Sequence, residues 1–117
     1  MHLDAFRDHC LAQPGATEGL PFGPDTLVFK VGGKMFALIN LERTPPAANL
    51  KCDPARAVEL RERYADVAPG YHMNKTHWNT VGLQGDVPGP LVHELVEHSY
   101  ALVVAGLPAR VRAELGV

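Results

Sequence analysis

With 117 residues, 46% of them hydrophobic and 21% charged, the chain has the size and composition of one folded domain and not of a disordered tail. Two cysteines, Cys10 and Cys52, are too few and too widely spaced for a disulfide scaffold or a structural zinc site, and point to reduced, partly buried thiols. A formal net charge of −2 argues against strong generic attraction to polyphosphates, yet residues 26–52 hold four basic side chains against one acidic, a local concentration of positive charge.

The first element is an amphipathic helix in HLDAFRDHCLAQPG, where Leu3, Phe6 and Cys10 recur at helical spacing and Pro14-Gly15 ends the run. His9 and Cys10 are adjacent, so on a helix they point about 100° apart and cannot act as a nucleophile–base pair. An extra strand before Pro21 is compatible with the pattern.

TLVFKVGGKMFALINL reads as a β-hairpin, because two β-rich runs flank Gly32-Gly33 and a two-residue turn needs positive φ at both positions. Pairing Val31 with Lys34 sets Phe29 opposite Phe36 and Leu27 opposite Leu38, which makes these four the core face. The other face then carries Val28, Lys30, Met35, Ala37, Ile39 and Leu41, too apolar to be merely wet.

A connection through Pro45-Pro46 leads to a short strand, ANLKC, with Ala48, Leu50 and Cys52 on one side. Asp53-Pro54 then starts a helix, Asp as N-cap and Pro at the first helical position, with Ala57, Leu60 and Tyr64 turned inward. After Pro69-Gly70, YHM and HWNTVGL read as two short strands around a turn at Asn74-Lys75-Thr76. LVHELVEHSYALVVA is a helix whose broad apolar stripe contains Leu91, Leu95, Val96, Ser99, Leu102 and Val103; Gly106 ends it and LPARVRAEL adds a short final helix. The order α-βββ-α-ββ-α(α) predicts an α+β fold over 1–117: a two-layer arrangement of an antiparallel sheet with helices packed on it.

Three segments invite chemistry. HELVEH, residues 93–98, imitates a zinc-binding helix, but the fifth place of H-E-x-x-H is Glu97, and His93 to Glu97 is one residue too long for the inverted motif. His93 and Glu97 fall opposite the apolar stripe, so a solvated pair one turn apart is expected there. GYHMNKTHWNTV, residues 70–81, crowds His72, His77, Asn74, Asn79, Lys75 and the lone Trp78 together. It supplies no Cys, Asp or Glu as a third metal ligand and no spacing that selects a nucleophile among Tyr71, Thr76 and Thr80. Backbone hydrogen bonding in a demanding turn accounts for its polar residues, with Trp78 as a core anchor. Third, Lys30, Lys34, Arg43, Lys51 and Lys75 sit on expected strands or their turns, where hairpin wings meet nucleic acid in other folds, with Tyr71 and Trp78 as stacking surfaces.

The blocks PFGPDTLVFKVGGKMFALINL, NLKCDP, GYHMNKTHWNTV and HSYALVVAGLP resemble the MmcQ/YjbR family of small bacterial proteins, over about Cys10 to Pro108. His72, Met73, Asn74, Lys75, His77, Trp78 and Asn79 carry the most specific part of that resemblance. It implies a compact α+β domain in the same element order and a "double-wing" DNA-binding label that rests on fold analogy. It implies no established enzyme activity, cofactor or catalytic residue.

The expectation is therefore a cytoplasmic, non-enzymatic binding domain without membrane contact or cofactor: no apolar run approaches the ~18 residues of a membrane span, and the start MHLDAFRDHC has no basic-then-apolar leader. Nucleic acid is the expected partner, with Lys30, Lys34, Lys51 and Lys75 on phosphates and His72, Asn74, His77 and Asn79 as hydrogen-bonding groups. Two alternatives stand beside it: a protein-interaction module using Val28, Met35, Ala37, Ile39 and Leu41, and a small-molecule pocket that holds His72 and His77 together.

Overall fold

The computed structural model describes residues 1–117. In chain order its elements are α1 (Leu3–Leu11), β1 (Thr17–Gly19), β2 (Thr26–Val31), β3 (Lys34–Asn40), β4 (Ala47–Lys51), α2 (Pro54–Arg63), β5 (Val67–Pro69), β6 (Trp78–Gly82), α3 (Gly89–Ala105) and α4 (Ala109–Leu115). The strands form one open sheet in the order β1-β2-β3-β4-β6-β5, every neighbour antiparallel. Helices cover one face only: α3 lies over β2, β3 and β4, α2 over β5 and β6, and α1 packs on α3. This is an α+β fold, and the strand before Pro21 exists as the edge strand β1.

Local chemistry explains the elements. Gly32 and Gly33 take φ of 56° and 79°, as the tight β2–β3 turn requires. A Cβ on Gly32 would also sit 2.7 Å from Leu107 Cδ1, so the hairpin tip is free to tuck under the link between α3 and α4. Asp53 caps α2 by accepting from Arg56 N at 3.1 Å, ahead of Pro54. The helix side buries Phe6, Cys10, Phe29, Phe36, Leu50, Val81, Val92 and Val96 completely or nearly so. Burial of each large apolar side chain stabilises by about 1.5–3 kcal/mol.

The hairpin register differs from the sequence reading. Val31 pairs with Lys34 and Lys30 with Met35, but then Phe29 opposes Ala37, Val28 opposes Leu38 and Leu27 opposes Ile39. Phe36 is the extra residue, a β-bulge, and a bulge exchanges the faces of everything beyond it. Phe36 and Ala37 consequently both belong to the helix-side core, joined by Ile39, while Leu38 turns to the opposite face with Val28 and Met35. The expected interaction patch of Val28, Met35, Ala37, Ile39 and Leu41 is thus split between two faces, with Val28, Ala37 and Ile39 buried.

Three further expectations change. Tyr71–Met73 is a turn and not a strand; β5 lies earlier, at Val67–Pro69, because the amides of Tyr71 and Met73 are taken locally by Thr80 Oγ1 and Gly70 O. Trp78 is half-buried outside the helix-side core, since its strand partner is Lys51 and the alternation of β6 sends Asn79 and Val81 inward instead. His93 is not on a free helix face: α1 crosses it, stacking the His9 ring on the His93 ring at 4.1 Å and 12°, with His9 Nε2 3.8 Å from Glu97. A helical wheel finds one buried face of α3, whereas a second helix covers part of the other.

Candidate functional site

The face without helices carries three rows of side chains, read from the strand register. At the hairpin end Lys30 pairs with Met35, and Lys51 with Trp78. The middle row runs Val28, Leu38, Asn49, Thr80 and Ala68 across β2, β3, β4, β6 and β5. The far end holds Thr26, opposite Asn40, and Ala47.

Over the middle row lies the 70–77 turn, and its residues explain why it folds back. A Cβ on Gly70 would come within 2.7 Å of Trp78 Cβ, so only glycine allows the chain to reverse against β6, where Gly70 N donates to Trp78 O at 2.8 Å. Thr80 Oγ1 accepts from Tyr71 N at 3.0 Å and donates to Asn49 Oδ1 at 2.5 Å, while Asn49 Nδ2 donates to Tyr71 O at 3.0 Å. Asn74 closes the turn through Oδ1, which accepts from Thr76 N at 2.9 Å. Lys75 Nζ donates to Gly70 O at 3.0 Å.

From the helix side, Arg61 of α2 donates to Asn79 Oδ1 at 2.7 Å and to the Lys75 carbonyl, and Asn79 Nδ2 donates to Ala57 O at 3.3 Å. Asn79 is buried by these bonds. Held at both ends, the turn leaves Tyr71 66% exposed and puts His72 at φ 58°, a left-handed conformation uncommon for residues other than glycine. The two rings touch, with centroids 4.1 Å apart.

Between this turn and the β1–β2 loop the open face forms a concavity of about 820 Å³. Met35, Leu38, Ala47, Asn49 and Thr80 supply its floor; Phe22, 64% exposed, and the pair Tyr71–His72 supply its rims. Arg43 lines it too, and its side chain makes no ion pair. No Asp or Glu lines the concavity.

The sequence-derived site residues therefore divide. Lys30, Lys51 and His72 share the open face; Lys34 begins β3 at the hairpin tip, exposed. Asn74, Lys75 and Asn79 are spent on internal hydrogen bonds, and Asn79 faces α2, so it offers no contact outward. His77 is exposed and does not line the concavity, so His72 and His77 do not share a pocket. Sequence reasoning passed over Asn49, Arg61 and Phe22: each stands in an unremarkable local pattern, and only the sheet order brings it to the turn or the concavity. The thiols are removed from chemistry, burial pushing Cys10 up to about 12 and Cys52 upward as well.

These features define a class: a small α+β protein that spends one sheet face on its core and leaves the other free of helices, partly roofed by turns. The chain belongs to the YjbR family, whose model matches residues 11–102. It is 35% identical to YjbR of Escherichia coli strain K12 over 112 residues, covering 96% of this chain and 95% of that one. It is 43% identical to YbdF of E. coli O157:H7 over 90 residues, 77% of this chain and 74% of the relative. A crystal structure of a Deinococcus radiodurans protein superposes with a TM-score of 0.92 at 44% identity, covering 98% of this chain and 88% of that one. One from Pseudomonas syringae gives 0.76 at 29% identity, covering 87% and 98%.

Proposed function

We propose that this protein is a non-catalytic nucleic-acid-binding module that uses the open face of its sheet. The observation that carries the reading is the coincidence of Lys30, Lys51 and the Trp78 ring in one row of that face, with exposed aromatic rims beside it. Cations on a strand row meet phosphates along a backbone, and neighbouring rings offer stacking surfaces. Arg43 adds a third cation, without an acidic neighbour among the residues that line the concavity. Lys34 extends the basic end to the hairpin tip, where a long flexible side chain reaches outward.

The reading assigns these residues no catalytic role. A nucleophile needs a base within hydrogen-bond reach, and Thr80 Oγ1 instead bonds Asn49 and a backbone amide. Fluorescence anisotropy with labelled single-stranded and duplex oligonucleotides at low salt tests the reading, because phosphate contacts are strongest there. Binding should weaken with salt, and Lys51→Ala should flatten the log–log slope by roughly one unit. Absence of binding to either form at low salt would refute it.

A further inference from the structure

We infer that the concavity under Tyr71 takes unpaired nucleotides, so that the strand recognised is single and not duplex; this rests on the nucleic-acid reading and narrows it. Three observations lead there. The first is shape: about 820 Å³ of concave space on a sheet face lies within the ~300–1,000 Å³ of sites that enclose small planar ligands. Bases within a duplex are stacked and paired, so their flat faces cannot enter a recess in a protein surface. Unpaired bases present both faces.

The second is the chemistry of the rims. Phe22 and Tyr71 are the two most exposed large apolar side chains in the chain, 64% and 66%, and both border this concavity. Leaving two aromatic rings in water costs hydrophobic free energy unless something covers them. They come from distant parts of the chain, the β1–β2 loop and the turn before β6, so no single local structure explains both exposures. Tyr71 is held in place through its backbone, by Thr80 and Asn49, while its ring makes no hydrogen bond. The His72 ring lies beside it, with centroids 4.1 Å apart and planes tilted by 49°, and adds a second ring to the rim.

The third is the distribution of polar capacity. On the floor, Asn49 and Thr80 are already engaged with each other and with the turn, which reduces what they offer a base edge. Asn40 Oδ1 is likewise occupied, by Glu42 N at 2.9 Å. The Arg43 guanidinium is a lining cation without an ion pair, and the His72 imidazole and the Tyr71 and Thr26 hydroxyls make no hydrogen bond, with no carboxylate among the lining residues in a chain that carries 13 acidic ones. Charge complementarity thus selects an anionic ligand. Apolar rims with few free edge-reading groups select flat rings without strong base preference. A single strand satisfies both, with bases against Tyr71 and Phe22 and a phosphate at Arg43.

The test compares a labelled oligo(dT), a mixed-sequence single strand and the corresponding duplex at one low salt concentration, with thymidine monophosphate as a fourth probe. Single strands should bind at least tenfold more tightly than duplex. Tyr71→Ala should weaken the single-strand complex roughly 5- to 150-fold, as loss of one base–aromatic stack does, while Tyr71→Phe retains binding. The ring is exposed and unbonded, so both variants should keep the wild-type unfolding midpoint. Phe22→Ala provides an independent check on the other rim. Equal or tighter duplex binding, indifferent to Tyr71→Ala, would overturn the inference while leaving nucleic-acid binding intact. Binding of the monophosphate as tightly as the oligonucleotide would overturn the assignment to a strand. No binding of any probe would remove both proposals together.

Discussion

Ser99 Oγ donates to the carbonyl of Phe36 at 2.5 Å, joining the middle of α3 to the bulged residue of β3. The same hydroxyl accepts from Lys51 N at 2.9 Å. A bulge leaves ladder groups without strand partners, and here one serine on the covering helix satisfies both of them. That arrangement holds the bulge that turns Leu38 to the open face, and so underlies the shape of the concavity.

Ser99→Ala should therefore destabilise the protein by about 1–3 kcal/mol, since it strands a buried carbonyl and an amide away from water. Urea unfolding checks this: the midpoint should fall with the slope unchanged. An unaltered midpoint would show that the bulge holds without the helix.

Asn79 is the second buried latch. Asn79→Ala removes the acceptor of Arg61 Nε and the side-chain donor to the Ala57 carbonyl from a buried position, at a cost of about 1–3 kcal/mol. Because Arg61 also holds the Lys75 carbonyl, Arg61→Ala should speed amide hydrogen exchange across 71–77 while α3 stays protected. The same variant should weaken ligand binding although Arg61 does not line the concavity.

Acid should loosen the helix layer through two imidazoles. Burial lowers the His98 pKa, and its Nε2 accepts the Asp53 amide at the start of α2, a bond only the neutral ring can make. Burial, with His9 stacked alongside, lowers His93 too. The unfolded chain thus protonates first: the stabilisation is complete above about pH 6.5 and is lost as pH falls through the lower folded values. Thermal midpoints measured from pH 7.5 to 5 should decline, and His98→Gln should flatten that decline.

Neither cysteine should react in the native state. With Cys10 pushed up to about 12 by burial and Cys52 raised as well, both thiols stay protonated and covered at pH 8. An aromatic disulfide reagent should label them only after denaturant is added, and rapid labelling of either in buffer would contradict their placement.

How much of this was legible in the sequence follows from the range of each interaction. Gly32-Gly33 and Asp53-Pro54 act within a few residues, and the hairpin turn and the start of α2 are readable from them directly. The bulge at Phe36 was not, because its partner is Ser99, 63 residues away, and nothing in the KMFALIN alternation marks an extra residue. Seven signature residues in 70–81 were visible as a cluster, but their split into an inward Asn79, a closed Asn74 turn and an outward Tyr71–His72 pair depends on Asn49, Arg61 and Thr80. The concavity itself arises where two turns far apart in sequence overhang one sheet face, a property of strand order that periodicity does not carry.

The open face as the place of contact is tested most directly by titrating isotope-labelled protein with a single-stranded oligonucleotide at low salt and mapping amide shifts. The expected shifts fall on Lys30, Met35, Leu38, Asn49, Lys51, Tyr71, His72 and Thr80, with α1 and α3 unperturbed. Shifts confined to the helix side, or none at saturating oligonucleotide, would contradict it.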